Sequence, residues 1–159
     1  RVLGSLQLSG CREVGNSSNR FQEVPTMDDH EQTNKGNAVE ADWHNVTLTR
    51  GVTGYSGNLR IRFQRSGNTL TLTTEEYMIS GDSSRSKANI NYDVKVGNNT
   101  VWDLDSPDDR KQDGQWHTWS NYKSVAIPSG TQTITFRAEF IFDMSGPDDR
   151  AIATHAVSI

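Results

Sequence analysis

Along much of this chain, hydrophobic residues recur at every second position, in short stretches separated by clusters of Gly, Asn, Asp and Ser. A period of two marks strands with one buried and one solvated face. In Leu59-Arg60-Ile61-Arg62-Phe63 the three apolar residues share one face and the two arginines the other. Ser66-Gly67-Asn68 then supplies a turn into Thr69-Leu70-Thr71-Leu72-Thr73, so the pair is predicted to form a β-hairpin. Residues 90–96 alternate again, turn at Gly97-Asn98-Asn99 and resume over 100–104 as a second hairpin. A short strand over 124–127 ends at Pro128-Ser129-Gly130. The longest alternation follows over 131–142, with Ile134, Phe136, Ala138, Phe140 and Phe142 on one face. Further strands are predicted over 2–8 and 151–159.

No window of 11 to 18 residues repeats apolar positions at three and four, so little or no helix is expected. The fold class is therefore all-β: an antiparallel β-sandwich of jelly-roll or immunoglobulin-like type. At 159 residues the chain has the size of one ordinary domain, and 1–159 is read as a single sandwich. Residues 9–41 are polar and read as a long functional loop, a covered edge or a strand without a clear pattern. The loops Ser106-Pro107-Asp108-Asp109-Arg110 and Gly146-Pro147-Asp148-Asp149-Arg150 echo each other and read as two similar turns after strands.

Composition narrows the partners. The net charge of −4 leaves no basic field for phosphate backbones, so nucleic acid is not an expected partner. No apolar run approaches the 18 or so residues that cross a bilayer as a helix, and no transmembrane segment is expected. Cys11 is the single cysteine, which excludes a disulfide within the chain and reads as an incidental thiol. The chain opens on Arg1 with no apolar leader and reads as a processed or excised form. Three glycosylation sequons, at Asn16, Asn45 and Asn98, are about what chance supplies in a chain so rich in Asn, Ser and Thr.

Candidate chemistry concentrates in one stretch. Asp103, Asp105, Asp108, Asp109 and Asp113 gather five carboxylates within eleven residues, the oxygen donors that a hard cation such as Ca²⁺ prefers. Asp103, Asp105, Asp108 and Asp109 are the candidate metal ligands, although Asp108 and Gly114 break the EF-hand pattern at its sixth and twelfth positions. Arg110 and Lys111 offer neutralisation of the same charges from within the loop. Directly after comes Gln115-Trp116-His117-Thr118-Trp119-Ser120-Asn121-Tyr122. Aromatic rings cover the apolar face of a pyranose while carboxylates and amides hold its hydroxyls. The expected ligand-binding set is Trp116, Trp119, Tyr122, Asn121, Asp103 and Asp105. An odd separation puts Trp116 and Trp119 on opposite faces, so one is expected in the core, as are Trp43 and Trp102.

The histidines show no zinc spacing, and neither a nucleophile elbow nor a phosphate-binding fingerprint occurs, so no enzyme is expected. The function these residues favour is a secreted or surface-exposed, lectin-like module for carbohydrate or glycoprotein. Calcium is its candidate cofactor, and a homo-oligomer is compatible with it. Two other classes stay open: a membrane-interacting toxin or cytolysin component, and a protein-interaction domain of a virion or adhesin surface.

Overall fold

A computed structural model describes residues 42–159. They form eight strands: β1 (His44–Val52), β2 (Tyr55–Ser66), β3 (Thr69–Ser80), β4 (Asn89–Val96), β5 (Asn99–Asp105), β6 (His117–Ala126), β7 (Thr133–Phe142) and β8 (Asp149–Ser158). Every pairing is antiparallel, in two four-stranded sheets ordered β1-β2-β3-β6 and β5-β4-β7-β8. The fold is thus the expected β-sandwich, and among the described residues no helix is long and apolar enough to cross a membrane. The strand expected over 2–8, the polar region 9–41 and Cys11 lie outside the described residues.

The buried faces are those that alternation assigns. Leu59, Ile61 and Phe63 of β2 are buried, as are Ile134, Phe136, Ala138, Phe140 and Phe142 of β7. The Phe63 and Phe136 rings meet between the sheets with centroids 5.2 Å apart. Burying each such large apolar side chain favours folding by roughly 1.5–3 kcal/mol over leaving it in water. Both expected hairpins close through two-residue turns, Gly67-Asn68 between paired Ser66 and Thr69, and Gly97-Asn98 between paired Val96 and Asn99. The first residue of each turn has φ of 58°, which glycine adopts at no steric cost. β1 has no counterpart among the expected strands. Among the described residues it is an edge strand in which Leu48 alone is fully buried, too few apolar positions to reveal a period.

Hydrogen bonds close the ends of the sandwich. At one end the Arg65 guanidinium donates to the backbone oxygens of Gly67, Pro128, Gly130 and Ile159, tying two loops to the last residue. At the other end the buried Gln112 amide exchanges two hydrogen bonds with the Asp143 backbone, at 2.9 and 3.0 Å. The Asp143 carboxylate accepts from Arg85 and from the Lys87 N–H, which joins the loops after β3, β5 and β7.

At Gly57 the sheets pack closely, because a Cβ there would overlap the Phe140 ring. Gly57→Ala is expected to destabilise the fold by about 1–3 kcal/mol, the usual cost of overpacking a filled core. Urea unfolding checks this, and a midpoint equal to wild type would show that the sheets can part at no cost.

Candidate functional site

The outer face of the β1-β2-β3-β6 sheet is organised by a break in the alternation of β3. Leu70, Leu72 and Thr74 point inward, and so do Tyr77 and Ile79, five and seven residues on from Leu72 where an even spacing is required. The register absorbs the difference with a β-bulge: Arg60 pairs with Glu76 and the next residue, Ile61, pairs with Thr74. Glu75 is the extra residue, so Glu75 and Glu76 both turn outward. On the other flank Thr74 pairs with Asn121 and Glu76 with Thr118, and the ladder is again irregular. The buried Thr74 hydroxyl fills that irregularity. It donates to the Trp119 carbonyl at 2.5 Å and accepts from the Asn121 backbone N–H and side-chain amide at 3.1 and 3.0 Å.

Two cross-strand groupings result. Arg60 Nη1 bonds Glu76 Oε2 at 2.7 Å, and the guanidinium lies 3.8 Å from the centre of the Trp116 ring. Arg62 Nε lies 2.5 Å from Glu75 Oε1, with its guanidinium 5.0 Å from the Trp43 ring centre. A cation on an exposed indole is worth about 0.5–1 kcal/mol, and each exposed ion pair contributes on a similar scale. Beside these groupings a shallow depression of about 430 Å³ opens, lined by Arg62, Thr73, Glu75, Glu76, Thr118 and Ser120. Tyr122 lies directly opposite Thr73 across the β3–β6 ladder, with 68% of its surface exposed. Hydroxyls, two carboxylates and the Arg62 guanidinium therefore share one concavity, with the Tyr122 ring on the neighbouring strand facing the same side.

The residues expected from sequence divide between this face and other places. Tyr122 is exposed here, and Trp116 is half-buried under Arg60. Trp119 is in the core at 8% exposure, which makes it the inward member of the pair and removes it from the ligand set. Asn121 also turns inward, and its amide is held by Thr74. Trp102 is buried edge-on against Tyr92, as expected, whereas Trp43 is 39% exposed and belongs to the outer face, contrary to expectation. Asp103 and Asp105 are exposed on β5, on the outer face of the opposite sheet. There they line a separate depression of about 460 Å³ with Asp93, Arg137 and Glu139. Acidic and aromatic clusters adjacent in sequence thus face away from each other.

The described structure lends the calcium expectation no support. Among the described residues no three of His, Cys, Asp and Glu come close enough to hold a metal ion. Asp103 and Asp105 extend from a strand rather than curling around a centre, Asp108 is exposed, and Asp109 pairs with Arg110 at 2.7 Å. Arg110 itself is tucked over the rings of Tyr77 and Trp119, 5.3 and 5.8 Å from their centres. The acidic loop is a lid on one end of the core. Arg60, Arg62, Glu75 and Glu76 were absent from the sequence expectation, although the odd spacing from Leu72 to Tyr77 signals the bulge that assembles them.

Comparison with protein-family models, curated proteins and solved structures found no match for the chain.

At the foot of β6, His117 Nε2 donates to Asp113 Oδ1 at 2.8 Å, and the Gln115 N–H donates to the same oxygen at 3.0 Å. The His117 bond, above all, holds the Asp113 carboxyl below its ordinary range. A carboxyl whose folded pKa is depressed contributes stability that is fully present above its unfolded value, about 3.9, and is lost as pH falls through the folded value. The stability gap between wild type and Asp113→Asn is therefore expected to be full just above pH 4 and to close in stronger acid. Urea midpoints across that window test this, and a gap independent of pH would contradict it.

Proposed function

We propose that the outer face of the β1-β2-β3-β6 sheet binds carbohydrate, making this chain a lectin-like binding module that does not turn its ligand over. The observation that carries the reading is the exposed Tyr122 ring, paired across the ladder with Thr73, next to a depression that Thr73 lines together with two carboxylates, the Arg62 guanidinium and further hydroxyls. A sugar presents an apolar C–H face and a rim of hydroxyls, and this patch offers a complement to both. The depression is shallow and open, which suits a glycan displayed on a surface better than a small molecule enclosed on all sides. With the acidic loop engaged in capping the core, binding on this face needs no calcium.

A glycan array probed with calcium and again with chelator tests the reading. Specific binding indifferent to chelator is expected, weakened roughly two- to tenfold by Tyr122→Ala, the range that loss of one aromatic contact implies. Tyr122 is so exposed that its removal should leave stability within about 0.5 kcal/mol of wild type, which separates lost binding from lost folding. An empty array, or full binding by Tyr122→Ala, would overturn the proposal and make liposomes and protein partners the next probes.

A further inference from the structure

We infer that the face selects uncharged glycans over sulfated or sialylated ones, engaging vicinal hydroxyl pairs with its two arginine–glutamate couples. The inference rests on the carbohydrate reading and names the ligand class of that same site. Arg60 and Arg62 occupy alternate positions of β2, which places them on one face about 6.6 Å apart along the strand. Each guanidinium has a carboxylate at its edge, Glu76 for Arg60 and Glu75 for Arg62. Two positive and two negative charges stand together, so among the described residues the patch has no surplus cation to attract an anionic sugar.

Neutrality of this kind differs from an absence of charge. A guanidinium carries five N–H donors and a carboxylate about four lone-pair sites, so the single Arg60–Glu76 hydrogen bond and the Arg62–Glu75 ion-pair contact both leave spare donors and spare acceptors side by side. A vicinal diol is the complement, because one hydroxyl accepts from the guanidinium while its neighbour donates to the carboxylate. Hydrogen bonds to charged groups are the stronger kind, and neither ion must be stripped of its partner to make them. The couples are within reach of a ligand, with side-chain exposures of 46% and 39% for Arg60 and Glu76, and of 42% and 33% for Arg62 and Glu75.

The two indoles have a different role from the stacking platforms expected from sequence. Trp116 underlies Arg60 and Trp43 lies against Arg62, so each has a ring face turned to a cation. Both are positioning residues that hold the guanidinium edge toward the ligand, and Tyr122, the more exposed ring at 68% against 39% for Trp43, is the one offered to a sugar.

The test is an array printed with neutral oligosaccharides beside their sulfated and sialylated counterparts, read with the whole chain. Wild type is expected to bind neutral members at least tenfold more tightly. Glu76→Gln keeps the shape but leaves Arg60 uncompensated, and is expected to move the neutral-to-sulfated ratio toward the sulfated members. A role of Glu76 in folding alone would not move that ratio. Trp116→Ala is expected to weaken neutral binding, with Trp116→Phe restoring part of it. Wild-type preference for sulfated or sialylated members, or an unchanged ratio in Glu76→Gln, would overturn this inference while the carbohydrate reading stands. An empty array would overturn both.

Discussion

A single buried hydroxyl, that of Thr74, sets the phase of the sheet on which the candidate site stands. β3 must present Leu70 and Leu72 to the core on one side of Thr74 and Tyr77 and Ile79 on the other, yet the two sets are out of step by one residue. A strand with strict period two would send one set into water, at a cost of roughly 1.5–3 kcal/mol for each large side chain exposed. Bulging out Glu75 avoids that cost but leaves backbone groups of β6 without regular partners. The Thr74 hydroxyl satisfies two of those groups, the Trp119 carbonyl and the Asn121 N–H, and also accepts from the Asn121 side-chain amide. An unmet buried donor or acceptor costs about 1–3 kcal/mol, so the hydroxyl decides whether the bulge is tolerable.

What the bulge does to the surface follows from its geometry. Two consecutive glutamates emerge on one face, where alternation would have shown one and hidden the other. Arg60 and Arg62 stand across the ladder to receive them, and Trp43 and Trp116 support the arginines from the flanks. The opposite sheet manages its charge differently. There Arg137 bonds both Asp93 and Glu139, Arg150 also reaches Glu139, and Asp103 and Asp105 extend alongside with no aromatic ring among the residues lining that depression. Neither depression is itself lined by an aromatic ring, but among the described residues the β1-β2-β3-β6 face sets paired arginines and glutamates beside the exposed Tyr122 ring.

Strand positions were legible in the sequence wherever apolar residues alternate at least three times, as in 59–63, 90–96 and 131–142, because burial of one sheet face enforces that period directly. β1 was not legible, since an edge strand needs few apolar residues to hold its place. The site was legible only in part. Tyr122 and Trp116 were named from their neighbourhood, but proximity along the chain also drew in Asp103 and Asp105, which a sandwich places on the far sheet. Trp119 and Asn121 alternate with Tyr122 in the direction they face, so one strand cannot offer all three to the same ligand. The arginines and glutamates that complete the patch come from β2 and β3, some 40 to 60 residues earlier. Only strand pairing unites them with β6, and the one local sign of it is the odd spacing between Leu72 and Tyr77.

The most direct test of this account is glycan binding by Thr74→Val, which keeps nearly the same side-chain shape but removes the hydroxyl. Folding is expected to survive with about 1–3 kcal/mol less stability, because the Trp119 carbonyl and the Asn121 amide lose their shared partner. Glycan binding by the folded variant is expected to fall at least tenfold as Glu75 and Glu76 lose their fixed placement. A folded Thr74→Val that binds as wild type does would show that the bulge shapes the sheet without shaping the site.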